Sequence, residues 1–219
     1  MRLVSACDAR PERTPARTGF NAARFVAAAL SISVALFLAG CKTLPPVPLP
    51  TDPWDVRRAA LQSRERFDLN GRIAVAAAQE GFNAKLRWKQ EGARSQVALD
   101  GPLGVGGVRI DAQGATLNVT TAHGDRFDSD DARREIATRL GFEPPLASLR
   151  YWVQGVPDPS HPADEVLDAD QRLAVLRQDG WQIDYTGYSA VRGQWLPSRM
   201  TLRRDDVRVR LVVDGWGGS

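Results

Sequence analysis

Apolar and polar side chains alternate with a period of two over two long stretches of the chain. Apolar or small residues occupy every second position from Phe67 to Val75 and from Phe82 to Trp88, with mainly polar residues between them. Such alternation puts the apolar side chains on one face of a β-strand and the polar ones on the other. It is typical of antiparallel sheets that bury one face and expose the other to water. Both stretches are therefore predicted to be strands of such a sheet.

Shorter stretches with the same alternation follow, separated by turns that contain glycine. They cover residues 96–100, 105–111, 115–120, 173–175, 181–185, 200–202 and 207–213. Asp179 and Gly180 stand between two of these stretches, and an Asp-Gly pair in that position is a strong hairpin signal. The sequence thus predicts about nine antiparallel strands.

A first helix is predicted before the strands. Asp52 is its expected N-cap, Pro53 its first residue, and the helix is expected to extend to about residue 66. The side chains expected to point inward are Trp54, Ala60 and Leu61.

Two further helices are predicted between the two groups of strands. The longer one is capped by Ser129 or Asp130 and ends near Gly141. Its inward stripe is expected to contain Ile136, Ala137 and Leu140. The shorter one ends before Gly155, and its apolar residues at helical spacing are Leu146, Leu149, Trp152 and Val153. Residues 52–219 are thus predicted to form one mainly β domain with helices, a strongly curved antiparallel sheet or open β-barrel with the helices in its mouth.

The first 40 residues have the layout of a secretory leader. The first 24 contain five arginines and two acidic residues, and residues 25–40 carry no charge. That uncharged stretch is shorter than the roughly 18 or more residues of a membrane-spanning helix, so a retained span is the weaker alternative. Residues 38–41, Leu-Ala-Gly-Cys, resemble the bacterial lipobox. We therefore expect cleavage before Cys41, diacylglyceryl and N-acyl groups on Cys41, and a proline-rich tether over residues 41–51.

Removal of this leader changes the charge of the chain. It takes five of 29 basic and two of 26 acidic residues, which leaves 24 of each over 219 − 40 = 179 residues. A neutral chain without a block of Lys or Arg does not favour nucleic acid, or broad attraction to anionic lipid, as a partner. Cys7 leaves with the leader, so a lipidated Cys41 leaves no thiol for a disulfide or a thiolate metal site.

Candidate catalytic and cofactor motifs are incomplete. His123 and His161 stand in predicted loops without metal-ligand spacing. Residues 187–191 begin like a nucleophile elbow, but Val191 replaces its final glycine. The glycines at 101–107 lack the third glycine of a dinucleotide fingerprint, because Arg109 stands there. The sequence therefore predicts no enzyme, no metal and no cofactor, and leaves open only a triad dispersed along the chain.

Six tryptophans in one small domain allow two interpretations. They are Trp54, Trp88, Trp152, Trp181, Trp195 and Trp216. Most lie on predicted inward faces, where they either fill a closed core or line an apolar cavity. A cavity of that kind would favour a hydrocarbon ligand, because an apolar pocket is poorly hydrated.

Leu103 stands between Pro102 and Gly104 at the tip of a connection between strands. A large apolar side chain in such a rigid turn is expected to be exposed. Near a lipid anchor, this side chain is positioned to enter a bilayer or a partner protein.

Several stretches, in this order along the chain, resemble the LolB family of outer-membrane lipoproteins. They are FDLNGRIAV at 67–75, GPLG at 101–104, SLRYWVQGVP at 148–157, GWQIDY at 180–185, LP at 196–197 and Trp216. The most specific is Leu-Arg-x-Trp-x-x-Gly-x-Pro at 149–157. The resemblance covers nearly the whole chain that remains after the leader, from about Trp54 to Trp216.

The resemblance implies a fold and a function. Family members are open β-barrels with a helical lid, and their apolar cavity takes the acyl chains of a lipoprotein that the periplasmic carrier LolA delivers. They release it into the inner leaflet of the outer membrane, and Leu103, with Pro102, matches the family's protruding loop that acts in this insertion. Lys42 follows the lipidated cysteine, which agrees with sorting to the outer membrane. The implied partners are LolA, lipoprotein acyl chains and outer-membrane lipid; the protein is expected to be a monomer.

The inward apolar positions that we predict to line this cavity are Leu69, Ile73, Phe82, Leu86, Trp88, Leu149, Trp152, Trp181 and Ile183. Gln154 departs from the family, which usually has an apolar residue there, and the leader is unusually long. Two alternative functions remain. A soluble carrier is disfavoured by the anchor at Cys41, and a structural envelope lipoprotein would have a filled core and no transfer activity.

Overall fold

The computed structural model describes residues 52–77, 80–101 and 107–217, all of which belong to one compact unit. Three helices are present in these residues: α1 (Trp54–Gln62), α2 (Ser129–Leu140) and α3 (Leu146–Trp152). The strands before α2 are β1 (Arg66–Ala77), β2 (Glu80–Glu91), β3 (Arg94–Asp100), β4 (Val108–Gln113), β5 (Thr116–Thr121) and β6 (Arg126–Asp128). Those after α3 are β7 (Asp164–Leu167), β8 (Leu173–Gln178), β9 (Trp181–Val191), β10 (Gln194–Arg204) and β11 (Val207–Gly217). None of the described helices is long and apolar enough to cross a membrane.

All eleven described strands form one antiparallel sheet, in the order β6-β5-β4-β3-β2-β1-β11-β10-β9-β8-β7. The first and last strands in this order, β6 and β7, are its two edges. The chain passes from β6 to β7 through α2 and α3. Both helices therefore belong to the connection between the two edges of an open sheet. The predicted fold class, a curved antiparallel sheet with helices, is confirmed.

The two short edge strands were not predicted from the alternation. β6 has three residues and β7 has four, too few to show a clear period of two. The helix α1 is attached to the edge strand β7, because Trp54 Nε1 and Arg58 each bond a carboxylate oxygen of Glu165 at 2.7 Å.

The predicted boundaries of α1 were wrong at both ends. The helix begins at Trp54 with Pro53 as its N-cap instead of Asp52, and it ends at Gln62. β1 begins at Arg66, because its pairing with β2 starts at that residue. Ala60 is exposed although it was predicted to point inward. Leu61 is buried, because it lies seven residues, or about two helical turns, after Trp54 and therefore on the same helix face. Ala60 is rotated about 100° away from Leu61.

The predicted N-cap of α2 was also wrong. Asp128 precedes the helix, in place of Ser129 or Asp130, because β6 pairs with β5 up to that residue. The predicted turn at Asp179 and Gly180 is confirmed, with φ of 53° and 77°. Positive φ at both central residues is the geometry of the tight hairpin turns that Asp-Gly favours.

The inward side chains of the sheet form two hydrophobic clusters. The larger one joins β1–β3, β8–β11 and α3, and includes Trp152, Trp181 and Ile183, each at most 2% exposed. The smaller one joins β4, β5 and α2. The core is therefore divided into two parts. The buried apolar residues of α2 lie in the smaller part and those of α3 in the larger, while Leu140 of α2 and Leu146 of α3 also pack against the other part.

Candidate functional site

The helix α2 covers the inner face of the sheet at β4 and β5. Ala132, Ile136 and Leu140 recur every four residues, which places them on one face of the helix. Ala132 and Ile136 are buried against the smaller cluster, and Leu140 is partly buried. Gly141 then ends the helix in the left-handed region, at φ 77°. These contacts with the sheet are apolar.

The ion pairs of α2 are local. Arg134 pairs with Asp131 and Arg139 with Glu135, one helical turn away, and Arg133 pairs with Asp130. These exposed pairs stabilise the helix itself, by a few tenths of a kcal/mol each. They do not join it to the sheet.

An apolar cavity of about 280 Å³ lies between α2 and the inner face of β2–β4. Its wall has residues from both hydrophobic clusters. The apolar ones are Phe82, Ala84, Leu99, Val108, Ile110, Ile136 and Leu140. Gly101, the last described residue before the segment 102–106, also lines it. The cavity thus marks the seam between the two parts of the core, next to the start of the GPLG stretch.

The helix α3 is held to the sheet by buried hydrogen bonds. Trp152 Nε1 donates to Gln178 Oε1 of β8 at 2.7 Å, and Gln178 Oε1 also accepts from the Asp158 backbone N–H at 2.9 Å. Gln178 Nε2 donates to the carbonyl oxygens of Asp158 and His161. The amide of one glutamine, 3% exposed, therefore joins α3, the segment after it, and β8.

Tyr185 and Ser148 add to this attachment. The Tyr185 hydroxyl of β9 donates to the backbone oxygen of Trp152 at 2.8 Å, and Ser148 Oγ donates to Asp158 Oδ2 at 2.9 Å. Burial raises the pKa of Tyr185 well above its ordinary value, so the hydroxyl stays neutral and remains a donor. Separating α3 from the sheet would leave these buried groups unpaired, at about 1–3 kcal/mol each.

The segment after α2 closes against the rest of the barrel through two tight contacts. The Phe142 ring lies 5.6 Å from the Trp181 ring of β9, centre to centre. A side chain at Gly141 would come within 2.7 Å of Ala77 Cβ at the end of β1. Only glycine therefore allows both the left-handed conformation and this close approach.

The motifs considered for catalysis lie in unsuitable settings. Ser189 lies within β9, near its end, and is paired with Leu196, whereas a nucleophile elbow needs a strand-to-helix turn. His161 Nδ1 lies 2.8 Å from Asp179 Oδ2, on the surface. Within the described residues, no group of three or more His, Cys, Asp or Glu side chains could hold a metal ion.

Comparison with known proteins agrees with this architecture. A family model described as "Outer membrane lipoprotein LolB" matches residues 65–216. The chain belongs to the LolB family. The outer-membrane lipoprotein LolB of Pseudomonas aeruginosa is 32% identical over 163 residues, which cover 74% of this chain and 80% of that protein. LolB of Stutzerimonas stutzeri is 32% identical over 192 residues, 85% of this chain and 93% of that protein.

A solved structure of a DUF1329 family protein from Desulfovibrio piger has the same fold. It superposes with a TM-score of 0.51 at 11% identity and covers 76% of this chain and 93% of its own. At that identity the likeness concerns the fold alone. Membership of the LolB family places the chain among outer-membrane lipoproteins.

The structure brings all nine residues predicted to line the cavity together in the larger cluster. Phe82 lines the 280 Å³ cavity between α2 and the sheet. The other eight, Leu69, Ile73, Leu86, Trp88, Leu149, Trp152, Trp181 and Ile183, pack elsewhere in or against that cluster. Their role in binding acyl chains remains a prediction. Cys41, Pro102 and Leu103 lie outside the described residues.

Sequence reasoning missed most of the residues that surround this cavity. Ala84 was on a predicted inward face and Leu99 was within a predicted strand, and Ile136 and Leu140 were in the predicted stripe of the helix. Alternation and helical spacing therefore found the inward faces. They do not show which inward residues touch one another and which face an empty space, because that depends on how α2 is placed.

Gln154, which departs from the LolB pattern, is 2% exposed and lies two residues after the end of α3. Its Nε2 donates to the Arg150 backbone oxygen at 3.0 Å. Its Oε1 has no hydrogen-bond partner in the described residues. The side-chain amide of Gln154 is thus held by one hydrogen bond to the preceding helical turn. Burial of its oxygen without a hydrogen bond destabilises the fold.

Proposed function

We propose that this LolB-family protein is an outer-membrane receptor, anchored through acyl groups on Cys41, which accepts lipoproteins from the carrier LolA and inserts them into the membrane. The observation that carries this proposal is the apolar cavity at the seam between α2 and the sheet. Seven of its ten lining residues are aliphatic or aromatic, Asn83 and Arg139 are polar, and the tenth is Gly101, where the stretch containing Leu103 begins.

The cavity in this conformation is too small for the whole cargo. A protein cavity of about 150 Å³ holds benzene, so 280 Å³ would hold roughly 11 carbon atoms. The acyl chains of a lipoprotein contain several times that number. Binding therefore requires the cavity to grow along the seam.

Separation of α2 is the least costly way to enlarge it. That helix is held to the sheet by apolar contacts, which incoming acyl chains would replace, whereas α3 is held by buried hydrogen bonds, which acyl chains cannot replace. Movement of α2 away from β2–β4 would add inward residues of the larger cluster to the wall, and the nine predicted residues are the candidates.

The transfer needs no nucleotide and no covalent step. Exposing acyl chains to water would cost about 0.8 kcal/mol per CH₂, and passing them from one apolar cavity to another avoids most of that cost. Direction comes from affinity, weakest in the carrier, intermediate in this receptor and strongest in the bilayer. Leu103 stands two residues after Gly101, which lines the cavity, and would enter the bilayer when the lipoprotein is released.

The test uses the mature chain with Cys41→Ala, which removes the anchor and keeps every other residue. LolA loaded with labelled lipoprotein is mixed with this chain, and transfer is followed by separating the two proteins. We expect the label to move to the Cys41→Ala chain. Failure to remove lipoprotein from LolA would show that the proposed function is wrong and would favour the structural lipoprotein, a function that the tight packing around Trp152 and Trp181 also fits.

A charge placed in the cavity wall tests the site itself. Leu140→Glu, with its side chain toward the cavity, should abolish acceptance of the cargo because the carboxylate would be desolvated. Thr138→Glu adds the same charge to the same helical turn on the exposed face, and should accept cargo normally. Equal transfer by both variants would show that the cavity is not the binding site for the cargo. Leu103→Asp should accept cargo and fail to deliver it to vesicles.

A further inference from the structure

The outer face of the sheet carries a basic groove that is separate from the apolar cavity. It runs across β11, β1, β2 and the end of β3, on the face where polar side chains alternate with the buried ones. Its volume is about 1040 Å³. Its charged lining residues are Arg72, Lys85, Arg87, Arg210, Asp100 and Asp214. Four basic and two acidic side chains give this groove a formal charge of 4 − 2 = +2.

The two acidic residues are already paired inside the groove. Arg72 binds Asp214 at 2.9 Å, and Arg87 binds Asp100 at 2.7 Å. Lys85 and Arg210 have no ion-pair partner within 4 Å among the residues that the structure describes. The excess positive charge therefore resides on these two side chains.

The register of the strands brings like charges together here. Lys85 lies directly opposite Arg72 in the pairing of β1 with β2. Arg210 lies opposite Ala74 of β1, whose short side chain leaves the floor of the groove open. Like charges directly opposite each other across a sheet are destabilising. An anion bound beside Lys85 would offset its repulsion by Arg72.

One end of the groove is next to the stretch proposed to enter the membrane. Gly101 lines the groove and is the last described residue before 102–106, which includes Leu103. Gly101 also lines the apolar cavity on the other face. The basic groove and the apolar cavity thus both reach Gly101, from opposite faces of the sheet.

We infer that this groove, through Lys85 and Arg210, binds the headgroup phosphates of anionic phospholipids and so orients the domain on the bilayer. The inference rests on the proposed function, because it uses the membrane contact assigned to Leu103. It names a separate site with different chemistry. Headgroup binding at Lys85 and Arg210 would place Gly101 and the adjoining stretch at the membrane surface when cargo is released.

A membrane fits the groove better than an acidic protein. The chain is expected to be tethered to a bilayer through Cys41, so lipid phosphate is present at high effective concentration, whereas a soluble partner must diffuse to the site. The groove presents guanidinium and ammonium groups over a floor of small side chains, which suits compact anions. Basic residues near an anionic membrane surface each strengthen binding by about fivefold.

The test measures co-flotation of the full mature chain, as its Cys41→Ala variant, with lipid vesicles in the absence of carrier and cargo. Vesicles of phosphatidylcholine are compared with vesicles of phosphatidylcholine mixed with phosphatidylglycerol. We expect preferential binding to the mixed vesicles, which weakens as salt is added. The double variant Lys85→Gln/Arg210→Gln should lose about 30-fold in this affinity. The control variant Arg66→Gln/Arg126→Gln removes the same charge at exposed positions outside the groove and should lose far less.

Equal binding to both kinds of vesicle, or equal losses in the two double variants, would overturn the inference. In a separate binding assay, tighter binding to unloaded LolA than to anionic vesicles, abolished by Lys85→Gln/Arg210→Gln, would overturn it in favour of a protein partner. Circular dichroism and the urea midpoint of each variant show that it is folded. Because neither carrier nor cargo is present, headgroup binding can fail while lipoprotein transfer succeeds, and the reverse, so the two proposals are tested separately.

Discussion

Gln178 provides a direct test of the claim that α3 is fixed to the sheet by polar bonds. The substitution Gln178→Met keeps the length and approximate volume of the side chain and removes its amide. Trp152 Nε1 and the Asp158 backbone N–H, both buried, would lose their shared acceptor. Two carbonyl oxygens, of Asp158 and His161, would lose their donor.

The expected loss follows from the two buried donors. Each unsatisfied donor costs about 1–3 kcal/mol, so the free energy of unfolding should fall by about 4 kcal/mol. The two carbonyl oxygens add less, because the bond to His161 is only partly buried. With a urea m-value of roughly 2 kcal/mol/M, the unfolding midpoint should fall by about 2 M.

Urea unfolding followed by tryptophan fluorescence measures this loss, and Gln113→Met, at an exposed position in β4, is the matched control. The control should change the free energy of unfolding by less than about 0.5 kcal/mol. Hydrogen exchange should show lower protection of α3 amides in Gln178→Met, with α2 amides unchanged relative to the rest of the domain. A midpoint shift no larger than that of the control, or a loss of protection centred on α2, would refute the reasoning.

Three other predictions concern the same framework. Gly155→Ala should lower the free energy of unfolding by about 1–2 kcal/mol or more, because Gly155 has φ 79° and an added Cβ would lie 2.9 Å from Pro197 Cγ. A urea midpoint equal to that of the wild type would show that this position does not require glycine. Ile136→Ala should lower the free energy of unfolding in urea by about 2–5 kcal/mol and enlarge the cavity, so that a fluorescent fatty acid binds more tightly. Weaker binding of the fatty acid by the folded variant would show that the cavity is not its binding site. Burial raises the pKa of Asp168, but hydrogen bonds from Arg172 and Asp170 outweigh burial and hold this pKa below its usual value. The stability that this shift contributes is present above the unfolded pKa of about 3.9 and is lost as pH falls through the lower folded pKa. The urea midpoints of the wild type and Asp168→Asn should therefore converge in acid. A difference between the two midpoints that stays constant with pH would show that ionised Asp168 does not contribute this stability.

Local patterns were sufficient for most strands and for the ends of several elements. The alternation at Phe67–Val75 and the Asp179–Gly180 turn depend on neighbouring residues alone, and both were predicted correctly. The C-terminal end of α1 and the cap of α2 were wrong because each lies where a strand begins or ends its pairing. Pairing involves residues distant in sequence, so single-sequence patterns do not contain it.

The sequence by itself determined the class of fold, the inward faces of its strands, the expected anchor at Cys41 and the resemblance to LolB, since each depends on residue order. Only the tertiary structure decided where a cavity remains, because Phe82, Leu99 and Ile136 surround the same space only when α2 is packed against the sheet. Only the register of β1, β2 and β11 gathered Arg72, Lys85 and Arg210 into one groove on a chain that has no block of basic residues. Charge on a folded surface follows strand pairing, and strand pairing is a long-range property.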